Sequence, residues 1–134
     1  VAIDRGGFNP PDRPGRSFAV PPLHWDISLV PPFTDYFQGI LYLTDTPAEQ
    51  GAFQCVPGFH RRLAAWLAAL PGGVDPRDQD FSAEAVRIPG RAGDMVIWHG
   101  ALPHGASHNY GRYPRLVQYI AYHPPQRGPD RPWR

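Results

Sequence analysis

Gly93 to Gly105 reads GDMVIWHGALPHG, the most informative run of the chain. Gly90-Arg91-Ala92-Gly93-Asp94 is turn chemistry, and Met95 to Trp98 is a strongly apolar, β-prone segment. His104 then begins the turn between the last two strands. Short apolar strands joined by turns suit a β domain better than a helical one. Downstream, His104 to Tyr113 holds the turn residues Gly105, Ser107, Asn109 and Gly111, and Arg115 to Tyr122 (RLVQYIAY) reads as the last strand. Upstream, Val86 to Ile88, Ala52 to Val56 and Gln38 to Thr44 read as strands, and Leu23 to Val30 as an extended segment. His60 to Leu70 is the one convincing helix: Leu63, Trp66, Leu67 and Leu70 fall on one stripe, and Pro71-Gly72-Gly73 ends it. Val74 to Ala83 reads as a polar loop. Residues 1–22 form a Gly/Pro/Arg-rich lead-in arm with one short strand at Ser17 to Val20, and residues 124–134 a polar tail. The expectation is a single, mostly antiparallel β domain over 1–134 with one helix.

Composition agrees with that class and removes several chemistries. A chain of 134 residues makes one domain, and its 14 glycines and 18 prolines favour turns over long helices. Aromatics at 13% need a core to pack in, which argues against disorder. The formal net charge is +1, so no nucleic acid or anionic membrane is expected as a partner. All 13 basic residues are arginine, which excludes a Schiff-base lysine and a P-loop. The lone Cys55 excludes an internal disulfide, a cysteine zinc site and an iron–sulfur cluster. The longest apolar run, Leu63 to Leu70, is too short to span a membrane. No secretory signal is visible, so the cytoplasm is the default compartment, and a start at Val1 suits a fragment of a longer protein.

The chemistry concentrates in few residues. In His24-Trp25-Asp26 an extended backbone turns the imidazole and the carboxylate to the same side. With His104 they make two histidines and one carboxylate on a rigid sheet, a facial triad that leaves coordination positions open, as in non-haem Fe(II) oxygenases. Arg115 starts the final strand. A hairpin between the strand near Trp98–His104 and Arg115–Tyr122 would set it opposite His104. Its planar fork suits a carboxylate, so a dicarboxylic cosubstrate could chelate the metal at one end and meet Arg115 at the other.

Four pieces carry a resemblance: LHWD (Leu23 to Asp26), GAFQCVPGFH (Gly51 to His60), GDMVIWHGALPHG, and Asn109 followed by PRLVQY (Pro114 to Tyr119). In order and spacing the chain resembles the phytanoyl-CoA dioxygenase family of Fe(II)/2-oxoglutarate-dependent oxygenases. The resemblance implies a double-stranded β-helix, a jelly-roll and cupin-like fold. It implies Fe(II), held by His24, Asp26 and His104, with 2-oxoglutarate as cosubstrate, its distal carboxylate on Arg115, and O2. The implied activity is oxidation, typically hydroxylation, of a C–H bond in a small organic substrate, with 2-oxoglutarate converted to succinate and CO2. Halogenating relatives replace the carboxylate with a small residue, so Asp26 favours hydroxylation or a related oxidation. Two departures stand out. Where the family often has a serine two residues after the distal histidine, this chain has Ala106, with Ser107 beside it as the available hydroxyl. Family members also run longer before the first motif, so their N-terminal region is absent here.

Other residues have plainer readings. Gln38, Ile40, Tyr42 and Thr44 share one strand face. If it points inward, Gln38 and Tyr42 line the cosubstrate pocket with Ser107; the face of Gly39, Leu41 and Leu43 is the alternative. His99 faces away from His104 and reads as a packing residue, His108 as a solvated turn residue, His60 as a local helix-start cap, and Asn109 as a turn residue with unusual backbone angles. Trp25 either flanks the entrance or packs. The rival readings are a non-catalytic metal- or ligand-binding barrel, and a partner-binding fragment completed by a missing half. Substrate identity and oligomeric state stay open.

Overall fold

The computed structural model describes residues 2–33 and 35–122; the tail expected over 124–134 lies outside them. Seven strands and one α-helix are present: β1 Ala2–Asn9, β2 Phe37–Tyr42, β3 Phe53–Cys55, α1 Leu63–Ala69, β4 Val86–Ile88, β5 Met95–His99, β6 His104–Ala106 and β7 Arg115–Tyr122. They form a four-stranded sheet in the order β1-β7-β2-β5 and a three-stranded sheet in the order β4-β3-β6, with every pairing antiparallel. This is the mainly β, jelly-roll architecture expected.

Alternation along the strands places the core between the sheets. On β5, Trp98 is buried and Val96 half-buried, while Met95 and Ile97 face out. The register carries this face across: Ile40 pairs with Val96 on one side and Tyr119 on the other, and Tyr42 with Val117. The Gln38–Tyr42 face is therefore the inward one. From the smaller sheet Phe53 meets Trp98, ring centroids 4.4 Å apart. The Tyr42 ring packs against Gly90, where any side chain would overlap it.

The helix is shorter than its stripe predicts, because a 3₁₀ turn over Phe59–Arg61 takes up its start. Leu63 is buried and Trp66 and Leu67 pack on the core. Trp66 closes an aromatic cluster with Trp25, Phe59 and Phe81, centroids 5.0–5.8 Å apart. Phe81 comes from the stretch read as a polar loop, which instead holds 3₁₀ turns over Pro76–Asp78 and Ser82–Glu84.

The arm differs most from expectation. Ser17 to Val20 forms no strand, whereas Ala2–Asn9 pairs with β7 along the sheet edge. Gly6-Gly7 resembles a chain breaker, but the register shifts between Ile3 and Gly6, marking a bulge. A Cβ on Gly7 would stand 2.7 Å from the Tyr119 and Val117 side chains. The glycine here permits close strand packing and does not end the strand.

Candidate functional site

His24 and His104 face each other across an isolated antiparallel bridge, each backbone N–H donating to the other's carbonyl at 3.0 Å. Directly paired residues project to the same side of a ladder, so the imidazoles stand together with centroids 4.9 Å apart. Asp26, two residues on, returns to that side. His24 Nδ1–H donates to Pro22 O at 2.9 Å, and His104 Nδ1–H to Leu102 O at 3.0 Å. Both rings are thus pinned by a carbonyl two residues upstream, which leaves Nε2 directed at the carboxylate. His104 Nε2 lies 3.4 Å from Asp26 Oδ2, and His24 Nε2 lies 3.7 Å from Asp26 Oδ1. One ligand atom from each of the three lies within 4.8 Å of the others. Hydrogen bonding from His104, reinforced by Gln38, holds the Asp26 carboxyl well below the usual carboxylate range against the opposing effect of burial. An ionised carboxylate and two imidazole Nε2 atoms, which a divalent cation would engage in place of the His104–Asp26 contact, make a mixed nitrogen and oxygen donor set with one face open.

Supporting groups fix this set from behind. Gln38 Nε2 donates to Asp26 Oδ2 at 2.6 Å, and Trp98 Nε1 donates to Gln38 Oε1 at 3.2 Å, which sets the amide's orientation. Gln38 therefore lines the same cavity, with its amide N–H engaged by a metal-ligand candidate. Arg77 donates from Nη1 to Trp25 O at 2.9 Å and from Nη2 to Ile27 O at 2.8 Å, the two carbonyls flanking Asp26. Arg77 is itself set by a 3₁₀ turn that Asp75 caps, accepting the Arg77 N–H at 2.8 Å. Trp25 packs: its ring is buried, and its indole N–H donates to Ala101 O at 3.0 Å, tying this segment to the corner before β6. Sequence reading missed Arg77. The Asp75-Pro76 pair signals a capped turn, but nothing local names the carbonyls it reaches.

Arg115 opens β7 opposite Asn9 and is 3% exposed. The expected hairpin with His104 does not form. The chain leaves the larger sheet at His99, turns through Gly100 to Pro103, and enters the smaller sheet at His104, while β7 runs between β1 and β2. Arg115 and His104 belong to opposite sheets and line one cavity of about 370 Å³ with His24, Asp26, Gln38, Phe53, Trp98 and Tyr119. The buried Arg115 Nε has no hydrogen-bond partner, and among the described residues no carboxylate lies within 4.0 Å of the guanidinium. A buried cation in that state is costly, and an anion in the cavity would relieve it.

Other candidates fall elsewhere. Tyr42 shares the inward face but stays out of the cavity: fully buried, its hydroxyl donates to Ile88 O at 2.7 Å and accepts from Phe53 N–H at 3.0 Å, stitching the sheets together. Burial raises its pKa. Ser107 is buried behind the wall, its Oγ without a partner, while Ala106 lines the cavity. Asn109 has ordinary backbone angles and a structural role. It donates to Asn9 O and Tyr113 O and accepts from Gly111 N–H, each at 2.9 Å, which ties the end of β1 to the turn before Arg115. His60 caps nothing, since Gly58 holds the N-cap position; it stacks on His99 at 5.5 Å. His99 points away from the triad, accepting from Ala101 N–H at 3.0 Å. His108 is half-exposed and paired with Asp12 at 2.9 Å.

Known proteins similar to this chain were found at three levels. The family model described as "Phytanoyl-CoA dioxygenase (PhyH)" matches residues 6–117. A Dictyostelium discoideum protein named for the phytanoyl-CoA dioxygenases is 30% identical over 94 residues, covering 65% of this chain and 27% of that protein. AviO1 from Streptomyces viridochromogenes Tue57 superposes with a TM-score of 0.65 at 24% identity, over 92% of this chain and 50% of its own. The epimerase SnoN in complex with Fe3+, alpha ketoglutarate and nogalamycin RO gives 0.60 at 24% identity, over 93% and 56%. HygX from Streptomyces hygroscopicus with nickel and 2-oxoglutarate bound gives 0.55 at 19% identity, over 90% and 54%. The chain spans about half the length of these solved structures and about a quarter of the Dictyostelium protein. At these identities the structural likeness speaks for the shared fold.

Proposed function

This chain belongs to the phytanoyl-CoA dioxygenase family, and from that premise we propose that it is the core of an Fe(II)/2-oxoglutarate-dependent oxygenase acting on a small organic molecule. One observation carries the reading: three ligand atoms of His24, Asp26 and His104 converge within 4.8 Å in a cavity that also holds the unpartnered Arg115 Nε. These residues fit a divalent metal that takes mixed nitrogen and oxygen donors, beside a dicarboxylate. Bound here, Fe(II) would supply the oxidation: 2-oxoglutarate loses CO2 to become succinate with one atom of O2, and the other atom converts a substrate C–H to C–OH.

The chain's own residues prepare that chemistry. Asp26 arrives ionised, and the carbonyls of Pro22 and Leu102 keep both Nε2 atoms directed inward. Arg115 neutralises the distal carboxylate of the cosubstrate, and Gln38 holds Asp26 in place. Phe53, Ile40, Trp98 and Tyr119 wall the cavity with apolar surface and limit its water. Retention of a carboxylate at Asp26 supports hydroxylation over halogenation.

The test is anaerobic addition of Fe(II) and 2-oxoglutarate to wild type and His104→Ala, reading the visible charge-transfer band of the chelate, then admission of O2 and assay of succinate. A band present in wild type and lost in the variant, with succinate formed in air, is expected. A folded, iron-loaded wild type without a band would mean a barrel that binds metal and no longer oxidises. No stoichiometric iron would remove the metal assignment.

A further inference from the structure

The cavity holds one more cation than the proposed cosubstrate needs. Among the side chains that the structure describes, it is lined by two arginines, Arg5 and Arg115, and by one carboxylate, Asp26. A second hollow abuts it, shares Arg5, Pro21, Ala106, Arg115 and Tyr119 with it, and adds no acidic residue among the described side chains. A 2-oxoglutarate dianion placed between the metal and Arg115 uses both its carboxylates, and Arg5 remains. Arg5 sits within the β1 bulge between Ile3 and Gly6, a device that re-aims a side chain. Its backbone is fixed by Gln118 Nε2 donating to Arg5 O at 3.3 Å. Its guanidinium stands 5.6 Å from the centroid of the Tyr119 ring, and that ring is part of the cavity wall. Among the side chains that the structure describes, which do not include Asp4, no carboxylate lies within 4.0 Å of it.

We infer that the molecule oxidised in this site is an anion whose carboxylate or phosphate is held by Arg5 at the cavity rim. The inference rests on the oxygenase reading above and adds a substrate class to it. Arg5 is the exposed cation at the mouth and Arg115 the buried one within. The two therefore divide their work: the buried fork takes the invariant cosubstrate and the rim arginine selects the variable partner. A planar fork stacked on an aromatic ring retains its orientation while free to accept a carboxylate or phosphate.

The experiment loads the chain with Mn(II) and saturating 2-oxoglutarate, then adds hexanoate, hexyl phosphate or hexanol and reads paramagnetic broadening of the probe's chain protons by NMR. Broadening of one or both anions and not of hexanol is expected, and the anion that responds separates carboxylate from phosphate. Arg5→Gln should weaken binding of the responding anion about tenfold, the scale of one lost charge-assisted hydrogen bond, and Arg5→Lys should restore part of it. Equal broadening by hexanol, or none by any probe, overturns the inference. So does an Arg5→Gln variant that loses affinity for 2-oxoglutarate and keeps it for the anion. Failure to bind Mn(II) and 2-oxoglutarate at all is seen before any probe is added, and it overturns the oxygenase reading together with this one.

Discussion

At the scale of single residues the site combines donors that are satisfied with one that is not. His24 and His104 each spend Nδ1–H on a backbone carbonyl, and Asp26 is braced by Gln38. Removing that brace should loosen the carboxylate without emptying the cavity: Gln38→Leu should lower Fe(II) affinity about tenfold, within the usual range for outer partners of a metal ligand. Competition with a chelator measures it, and an unchanged affinity would leave Gln38 as mere lining. Arg115 is the opposite case, a buried guanidinium with an orphaned Nε. Replacing it with an apolar residue of similar length removes an uncompensated charge. Arg115→Met should therefore melt no lower than wild type without ligand, and higher by a few degrees if the cavity is dry, while losing the stabilisation that 2-oxoglutarate gives. Thermal melts with and without 2-oxoglutarate, both with Mn(II), separate these effects; a variant that melts much lower in both conditions would make Arg115 a structural residue. His24 and Asp26 were legible as a same-side pair because i, i+2 alternation needs no tertiary knowledge, whereas His104 could be joined to them only through the family resemblance. The contrast between Gln38 and Tyr42 was not, since both lie on the inward face and only the neighbours of each hydrogen-bonding group, Asp26 for one and Ile88 for the other, separate cavity from core.

At the scale of elements, short strands need outside help to hold a metal site. His24 and Asp26 lie in a segment with one bridge and no ladder of its own. It is held by Trp25 reaching Ala101 O and by Arg77 reaching Trp25 O and Ile27 O. Arg77→Ala deletes two hydrogen bonds from a charged donor, and the local cost should be about 1.5–3 kcal/mol. Its signature should be weakened Fe(II) binding with the barrel intact, recovered in part by Arg77→Lys. Chelator competition beside near-ultraviolet circular dichroism reads both quantities, and a normal metal affinity would deny the clamp. Gly90→Ala tests the core on the far side: the new methyl overlaps the Tyr42 ring, which two hydrogen bonds prevent from turning away. A loss of about 1–3 kcal/mol in a urea melt is expected from overpacking. Strands β2 to β5 and β7 were readable because β-prone runs end at Gly/Pro punctuation, whereas β6 (His104–Ala106) lies in the stretch read as a turn and becomes a strand only by pairing with β3. Strand β1 was not, because Gly6-Gly7 means a bulge only beside Tyr119 and Val117. The hairpin assigned to Arg115 failed for a related reason: sequence adjacency favours pairing of neighbours, whereas the Gly100 to Pro103 corner carries the chain to the other sheet.

At the scale of the molecule, the proposed ligands would join two sheets that the chain joins only through loops and core. The metal-ligand candidates cluster on the β6 side, with His24 bridged to His104, while Arg115 belongs to the four-stranded sheet. A metal alone would engage one side, and a dicarboxylate alone chiefly the other. Bound together, they would span the cavity from His104 to Arg115 and tie the sheets to each other. Binding to the folded state alone stabilises it by about 2.7 kcal/mol when free ligand is one hundred times its dissociation constant. For a domain of this size that corresponds to a rise of roughly 10 °C in melting temperature. Because each ligand completes the other's site, Mn(II) and 2-oxoglutarate added together should raise the melting temperature by more than the sum of their separate effects. Differential scanning fluorimetry measures this directly. The excess should vanish in His104→Ala, which opens the metal end, and in Arg115→Met, which opens the other. Strictly additive shifts would mean that the two ligands bind independently, and the cavity would then not be the shared site that its two walls imply.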